Sequence, residues 1–326
     1  MEKVNKRSLN TFSVKDGIKD YMKCLVNKST GEECLYSGFG RIDGITCGFH
    51  GGEVIVISGL PSMGKTTFAL SIASATSVDN GIPALFLTME MNSTRLLYKL
   101  MSSVCGIPLS RFTHDLITEF HWQMADKKID KLYDAPLLID DSPTQTLETL
   151  RETCYQSVEK HHVRAVFIDS LQYIRTDYRA NRTRNDDISE LMYGIKTLAR
   201  ELNIPFFVVS QMNRYAEHRE GLEGKRPQLS DLRESGSIED VADKILFVHR
   251  PEVFHIYQDE CGRDMHGMAQ IIIAKNHMGP TGEIPLIFRA EYANCMEYKE
   301  WNPLSSGEDI ISTAFRKAFG KEEKSI

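Results

Sequence analysis

Residues 53–66 read EVIVISGLPSMGKT, an apolar run followed directly by a glycine-rich loop. The loop, Gly59-Leu-Pro-Ser-Met-Gly64-Lys65-Thr66, matches the pattern G-x-x-x-x-G-K-[ST] and precedes a stretch of helical character. Between a strand and a helix, the glycines let backbone N–H groups wrap phosphate oxygens, and the helix N-terminus adds the positive end of its dipole. The stretch therefore predicts a phosphate-binding loop, with a chance glycine turn as the alternative.

The chemistry expected of this loop is nucleotide binding. We expect the Lys65 ammonium to reach the β- and γ-phosphates of ATP, and the Thr66 hydroxyl to join the shell of a Mg²⁺ ion. ATP and Mg²⁺ are therefore the expected cofactors. The loop residues predicted to bind nucleotide are Gly59, Ser62, Met63, Gly64, Lys65, Thr66 and Thr67.

From residue 53 onward, short β-rich runs alternate with longer helical stretches, as a parallel sheet with crossover helices requires. Most of the runs are apolar on both faces, which is typical of central parallel strands. The predicted strands lie at 53–58, 84–89, 136–140, 165–169, 206–211 and 244–249. The predicted helices lie at 65–77, 93–104, 146–160 and 186–202. After residue 267, two β-rich runs around GPTG predict a hairpin that closes the sheet edge. The expected fold is α/β, with a mostly parallel central sheet flanked by helices and a C-terminal β-hairpin.

Three polar side chains stand at the ends of predicted strands. Asp169 ends AVFID, Glu90 follows ALFLTM and Gln211 ends FFVVSQ. Ligands of open α/β folds bind at the carboxyl ends of the strands, so we expect these residues to lie close together. We predict that Asp169 holds Mg²⁺, that Glu90 orients the attacking water, and that Gln211 senses the γ-phosphate; with Lys65, Glu90 and Gln211 form the predicted catalytic set. The alternatives are a helix-capping Asp169 and surface positions for the other two.

Two segments are candidates for contact with single-stranded nucleic acid. The loop RTDYRANRTRND (175–186) holds four arginines, which include Arg182 and Arg184, and one tyrosine, Tyr178. A basic, flexible loop of this kind suits phosphate contacts. The segment LSDLRESGSIEDVAD (229–243) offers a charge and a close backbone approach at Arg233 and Gly236. For either segment the alternative is an ordinary solvated surface.

Composition limits the classes of function. The chain has 326 residues, of which 41% are hydrophobic, and a net charge of −6. This length fits one large α/β domain or two average domains, and the negative charge means that any nucleic-acid contact must be local. Seven cysteines without a C-x-x-C pair argue against a zinc site and a disulfide framework. The N-terminus lacks a signal-peptide core, and no apolar run approaches the about 18 residues of a membrane span. We therefore expect a cytoplasmic protein without a membrane partner.

Several stretches together resemble the motor domain of the DnaB family of replicative DNA helicases. The similarity covers residues 37–290 and is carried by GLPSMGKTTFAL, FLTMEM, VFIDSLQYI, LARELNIPFFVVSQMNR, KRPQLSDLRESGSIEDVAD and IIIAKNHMGPTG. The resemblance implies a RecA-like P-loop ATPase that assembles with copies of itself into a hexameric ring. Such a ring hydrolyses ATP at its subunit interfaces and draws single-stranded DNA through its central channel.

The resemblance also implies particular roles for several segments. The segment with Arg233, Glu234 and Gly236 corresponds to one that lines the channel and touches the DNA backbone, and Arg250 matches an arginine near the nucleotide. The amphipathic stretch 13–27 corresponds to a linker helix that docks onto the adjacent subunit; packing on its own chain is the alternative. The implied organisation is an N-terminal arm with this linker helix (1–36), a RecA-like motor (37–300) and a partly disordered helical tail (301–326).

Two departures from the family pattern bear on function. The family has a helical N-terminal domain that binds primase, and only residues 1–36 precede the motor here, so a primase or loader partner is left open. The family's K-x-R motif, whose arginine reaches into the neighbour's ATP site, reads Lys275-Asn276-His277. Histidine is shorter than arginine and mostly neutral at pH 7, so we expect slow hydrolysis at this predicted trans interface.

The expected function is an ATP-dependent helicase or translocase on single-stranded DNA. Two alternatives belong to other classes: an ATP-switched single-stranded-DNA-binding or loading factor, and a recombination protein of the same superfamily. A small-molecule kinase is disfavoured because no segment supplies an acceptor pocket.

Overall fold

The computed structural model describes residues 13–14, 34–176, 183–213, 217–219, 221–259 and 262–298. The strands are β1 (Cys34–Leu35), β2 (Phe49–His50), β3 (Val54–Gly59), β4 (Ala84–Thr88), β5 (Leu137–Asp140), β6 (Ala165–Asp169), β7 (Phe206–Gln211), β8 (Lys244–His249), β9 (Met268–Asn276), β10 (Gly282–Arg289) and β11 (Asn294–Glu297). The α-helices are α1 (Gly40–Thr46), α2 (Lys65–Ser74), α3 (Ser93–Cys105), α4 (Leu109–Thr113), α5 (Glu119–Tyr133), α6 (Leu147–His161), α7 (Arg184–Leu202), α8 (Gly221–Lys225) and α9 (Gly236–Val241).

Nine of these strands form one mixed sheet in the order β11-β10-β9-β8-β3-β7-β6-β4-β5, and β1 pairs with β2 in a separate two-stranded sheet. The six strands from β8 to β5 run parallel, and β9, β10 and β11 add to the β8 side in antiparallel fashion. The prediction of a mostly parallel sheet flanked by helices is therefore confirmed.

The central strands are buried on both faces, which their apolar sequences require. Phe86, Phe167 and Phe207 stack across β4, β6 and β7 with ring centroids 5.7 and 4.6 Å apart. Full burial of one such side chain stabilises the fold by about 1.5–3 kcal/mol, and stacked pairs add to that. The packed aromatic rings fix the relative positions of the strands whose ends carry the predicted site.

The predicted β-hairpin is confirmed as β9 and β10, but it does not close the sheet edge, because β11 pairs with β10 beyond it. The short strand β11 has one buried side chain, Cys295, and so presents no alternating pattern. The predicted helix 65–77 ends as an α-helix at Ser74 and continues as a π-helical turn, Ala75–Asp79. The polar helix α5 has Ala125 as a buried side chain, which explains why its periodicity was too weak to predict it.

The predicted linker helix at 13–27, apart from residues 13 and 14, and the predicted tail at 301–326 lie outside the described residues. Among the helices that are described, none combines the length and the apolar character of a membrane span. The described cysteines are free thiols: Cys34, Cys47, Cys105, Cys154 and Cys295.

Candidate functional site

The parallel register brings the predicted site residues to one edge of the sheet. Gly59, the last residue of β3, pairs with Gln211 at the end of β7, and Thr88 of β4 pairs with Asp169 at the end of β6. Glu90 follows Thr88 by two residues. The structure thus places the phosphate loop, both carboxylates and the amide at the carboxyl edge of the parallel strands, where ligands of such sheets bind.

The loop after β3 needs its glycines for space as well as for backbone conformation. A Cβ atom on Gly59, whose φ is 157°, would lie 2.6 Å from the carbonyl oxygen of Val248. A Cβ atom on Gly64, whose φ is 90°, would lie 2.3 Å from the Phe288 ring. Both positions therefore exclude larger residues, and the chain can turn tightly enough to expose its N–H groups.

Helix α2 starts inside the motif, so its first N–H groups face the loop. The amides of Lys65, Thr66 and Thr67 belong to the first turn, where an α-helix provides no acceptor for its own donors. The side chains of Met63 and Thr67 are buried, so these two predicted residues have only their backbone to offer a ligand. Three amide donors and a helix dipole at this point suit a polyphosphate.

The Lys65 ammonium is buried beneath the loop, where it donates to the Leu60 carbonyl oxygen at 2.9 Å. Burial lowers the pKa of Lys65 to about 8, and the opposing charges of Glu90 and Asp169 raise it. An anion brought next to this ammonium would favour its charged form. Lys65 is thus suited to pair with a phosphate that displaces the carbonyl contact.

Asp169 and Thr66 form a pair suited to a divalent cation. Thr66 Oγ1 donates to Asp169 Oδ2 at 2.7 Å, and Asp169 Oδ1 is buried with no hydrogen-bond partner among the described residues. Burial raises the pKa of Asp169 to about 6, the Thr66 hydrogen bond lowers it, and the Glu90 charge raises it further. A buried carboxylate oxygen without a partner beside a hydroxyl fits Mg²⁺, which prefers oxygen ligands.

Glu90 is exposed in the turn after β4, which the Thr88 hydroxyl closes by donating to the Met91 carbonyl oxygen at 2.8 Å.

Lys99 on α3 lies near the carboxylates of Asp169 and Glu90, and the sequence analysis did not predict it. Burial lowers the pKa of Lys99, while the charges of Asp169 and Glu90 raise it. A signal was present, because Lys99 lies three residues after Leu96 and therefore on the inward side of an amphipathic helix.

Arg250, predicted to lie near the nucleotide, contacts the backbone of the phosphate loop. Its Nη1 donates to the Ser62 carbonyl oxygen at 3.2 Å, and its guanidinium carbon lies 3.8 Å from the centre of the Phe288 ring. Glu252 pairs with the same guanidinium. Phe288 therefore sits between Gly64 and Arg250, and a contact of Arg250 with a nucleotide stays a prediction.

Lys275 and His277 lie at the opposite edge of the sheet from the phosphate loop. Lys275 pairs with Ile245 of β8, and the His277 backbone N–H donates to the Asp243 carbonyl oxygen at 3.0 Å. Asp243 and Val248, which lies beside Gly59, are five residues apart along the chain, a span of roughly 16 Å in a strand. Neither side chain reaches the phosphate loop of its own chain, which is the position that a residue acting on a neighbouring subunit requires.

In the described part of the basic loop, Arg184 opens α7 and donates from Nη2 to the Gln172 carbonyl oxygen at 2.7 Å. Arg182 lies outside the described residues. The backbone of Arg233 and Glu234 belongs to a 3₁₀ helix, Leu229–Ser235, although their side chains lie outside the described part. Among the described residues, a Cβ atom on Gly236 would meet no atom within 4 Å, which leaves room for a partner there.

One buried side chain beneath this site predicts a pH-dependent stability. His249 is 1% exposed, and its Nε2 has no hydrogen-bond partner among the described residues. Burial, helped by the charge of Arg226, lowers the pKa of His249 from 6.5 to about 4. Because the folded pKa is depressed, the neutral imidazole contributes stability above pH 6.5 that is lost as pH falls toward 4. Linkage makes this loss about 2 kcal/mol between pH 7 and pH 5.

We expect His249→Gln, whose side chain does not titrate, to lose about 2 kcal/mol less unfolding free energy than wild type over this interval. Urea denaturation at pH 7 and pH 5 measures the difference, and comparing the two proteins cancels the titration of all other groups. If both proteins lose the same unfolding free energy between pH 7 and pH 5, protonation of His249 does not destabilise the folded protein.

A glycine-rich phosphate loop between β3 and α2, with a strand-end aspartate bonded to its threonine on a mostly parallel sheet, defines a RecA-like P-loop NTPase domain. The model of the family "DnaB-like helicase C terminal domain" matches residues 34–297. The chain belongs to this family.

Relatives and solved structures agree with this assignment. The "Replicative DNA helicase DnaB" of Leifsonia xyli subsp. xyli (strain CTCB07) is 34% identical over 257 residues, which are 79% of this chain and 54% of that protein. The solved "ATPase Domain of G40P" has a TM-score of 0.79 at 29% identity and covers 89% of this chain and 100% of its own. The chain of "The Structure Of A DnaB-Like Replicative Helicase And Its Interactions With Primase" has a TM-score of 0.75 at 29% identity, covering 89% of this chain and 68% of its own. This chain spans little more than half the length of the relatives it matches.

Proposed function

We propose that this chain is the motor of an ATP-dependent, ring-shaped DNA helicase that moves on single-stranded DNA. The observation that carries the proposal is the pairing of Thr66 with the buried Asp169 directly beneath the phosphate loop, beside Lys65. Structural roles do not require a buried carboxylate whose second oxygen lacks a partner, and a nucleotide-bound cation would satisfy it. Membership of the DnaB-like family supports the coupling of this site to DNA.

Each site residue then has a chemical task. When bound, Mg²⁺-ATP supplies the phosphoryl group whose transfer to water provides the energy. Lys65 and the first amides of α2 hold the phosphates, and Thr66 with Asp169 holds the cation. Glu90 orients the attacking water and accepts its proton, and Gln211 contacts the terminal phosphate.

The second half of each ATP site comes, in this proposal, from a neighbouring copy. Lys275 and His277 lie at the edge opposite the phosphate loop, so a ring of identical subunits, a hexamer by family resemblance, would bring them to the next subunit's nucleotide. DNA contacts are proposed for Arg182 and Arg184 in the basic loop and for Arg233, Glu234 and Gly236 in the channel segment. A net charge of −6 makes such local contacts necessary.

The remaining assignments are proposals of the same kind. We place an N-terminal arm at 1–36, the motor at 37–300 and a tail at 301–326, and we expect the protein in the cytoplasm. One solved neighbour is described with its interactions with primase. By that likeness a primase or a loader is a partner to test by co-purification.

Strand separation on a forked DNA duplex tests the helicase directly. We expect ATP with Mg²⁺ to release the labelled strand and a non-hydrolysable ATP analogue to release none. DNA binding that needs ATP, without any strand release under conditions of active hydrolysis, would contradict the proposal. That result would favour the second candidate, an ATP-switched DNA-binding or loading factor, for which His277 in place of an arginine is the supporting observation.

A further inference from the structure

Gln172 joins the ends of two neighbouring strands at the carboxyl edge of the sheet. It lies in a 3₁₀ turn, Leu171–Tyr173, three residues after Asp169. Its Nε2 donates to Ser210 Oγ at 2.9 Å, and its Oε1 accepts from the backbone N–H of Gln211 at 3.2 Å. A side-chain amide has both a donor and an acceptor group, and here each is used on consecutive residues of β7. The Gln172 side chain is thus fixed against the strand end that carries Gln211.

The partner of Gln172 on β7 is itself firmly held. Ser210 is fully buried, and its carbonyl oxygen accepts from Ser58 Oγ of β3 at 3.0 Å. Gln211 follows it with an exposed side chain. Ser210 is thus a fixed point of β7. Beyond it, Gln211 pairs with Gly59 of β3 and the Met212 N–H donates to the Gly59 carbonyl oxygen at 3.3 Å, while the Gln211 N–H itself is bonded to Gln172 on the β6 side.

The backbone of Gln172 points the other way, toward the basic segment. Its carbonyl oxygen accepts from Arg184 Nη2 at 2.7 Å, and Arg184 is the first residue of α7. A guanidinium carries five N–H donors in a fixed plane, so Arg184 can hold a phosphate oxygen while it remains bonded to this carbonyl. A displacement of the Arg184 side chain on binding a phosphate would therefore also move the turn that carries Gln172.

We propose that Gln172 is a positioning residue that couples a nucleic-acid phosphate held by Arg184 to the orientation of Gln211 at the nucleotide. The inference rests on the proposed function. The path has two hydrogen bonds, one from the Arg184 guanidinium to the Gln172 carbonyl oxygen and one from the Gln211 N–H to the Gln172 side chain, and the covalent bonds of Gln172 connect them. Because coupling between two sites is reciprocal, bound nucleotide must also alter the first turn of α7.

The test compares full-length wild type with Gln172→Met, which keeps the length of the side chain and removes both hydrogen bonds. We expect the ratio of ATP turnover with oligo(dT) to turnover without it to fall by about fivefold or more, the usual lower size of a coupling between sites. Tyr173→Met is the matched control, because it changes an exposed side chain in the same turn, and it should keep the wild-type ratio. Gln172→Glu, which retains an oxygen acceptor for the Gln211 N–H, should recover part of the ratio.

Hydrogen exchange provides a readout that does not need DNA. In Gln172→Met the amide of Gln211 should exchange about threefold faster or more, since its acceptor is gone. A non-hydrolysable ATP analogue with Mg²⁺ should change exchange in the first turn of α7 in wild type and not in the variant. A loss of overall stability would instead speed exchange throughout the sheet, including at Phe207.

The outcomes separate the two proposals. An unchanged stimulation ratio in Gln172→Met, with wild type stimulated by DNA, would overturn the role of Gln172 and leave the helicase intact. A wild-type enzyme that DNA does not stimulate would count against the proposed function. In that case the exchange experiment decides the inference, and an equal response to the analogue at α7 in wild type and variant would overturn it.

Discussion

His277→Arg is expected to raise the ATP turnover of the assembled ring by about 10³-fold or more, the typical effect of an arginine supplied from a neighbouring subunit. A guanidinium is always charged and forks onto two phosphate oxygens, whereas an imidazole is shorter and cannot form this bidentate contact. The edge position supports this expectation, because the His277 side chain is 52% exposed. Turnover per subunit is measured on the oligomer isolated by size-exclusion chromatography.

His277→Lys is the matched control for the arginine variant. It supplies a positive charge of similar reach without a planar fork, so its turnover should rise less than that of His277→Arg. If the residue acts across the interface, an excess of Lys65→Ala subunits should lower the turnover per His277→Arg subunit, because the neighbouring copy then carries His277 instead of arginine. Unchanged turnover of His277→Arg in a ring that still assembles would show that this residue does not limit hydrolysis.

Glu90→Gln is expected to lower ATP turnover by about 10²–10⁴-fold, the usual contribution of a general base. The amide keeps the size of the side chain and loses the ability to accept a proton from water. ATP binding should persist, because Lys65, Thr66 and Asp169 are unchanged and lie on other elements. A single-turnover measurement with labelled ATP gives the rate, and equilibrium binding of a fluorescent ATP analogue gives the affinity.

Glu148→Gln on α6 is a suitable control, since it removes an equal charge from an exposed helix. It should leave turnover within about twofold of wild type, as surface substitutions usually do. If Glu90→Gln hydrolyses ATP at the wild-type rate, another group orients the water, and the predicted role of Glu90 is wrong.

The sequence predicted those parts of the fold in which local pattern and tertiary position agree. Strands β6, β7 and β8 were predicted with the bounds that the structure has, because continuous apolar runs of five or six residues are typical of strands buried on both faces of a sheet. The edge strand β11 and the polar helix α5 were missed, since each has a single buried residue among its described side chains and depends on neighbours that sequence alone does not specify.

The same distinction applies to the site. Asp169, Glu90 and Gln211 could be predicted because each stands at the end of a parallel strand, and the fold itself brings those ends together. Gln172 could not be singled out in this way, because its importance arises from the direction of its side chain toward β7, and no spacing along the chain encodes that direction. Lys99 was missed although the amphipathic pattern of α3 places it on the inward side of that helix.

The most direct test of the account measures ATP hydrolysis by the wild-type protein with and without single-stranded DNA, with Lys65→Ala as the blank. Removing the buried ammonium should abolish turnover, because the phosphates lose their principal charge partner in the loop. We predict turnover that DNA stimulates in wild type and that is absent from Lys65→Ala under both conditions. An ATP hydrolysis rate that is the same with and without DNA, or hydrolysis that persists in Lys65→Ala, would contradict the central claim that this phosphate loop drives a motor on single-stranded DNA.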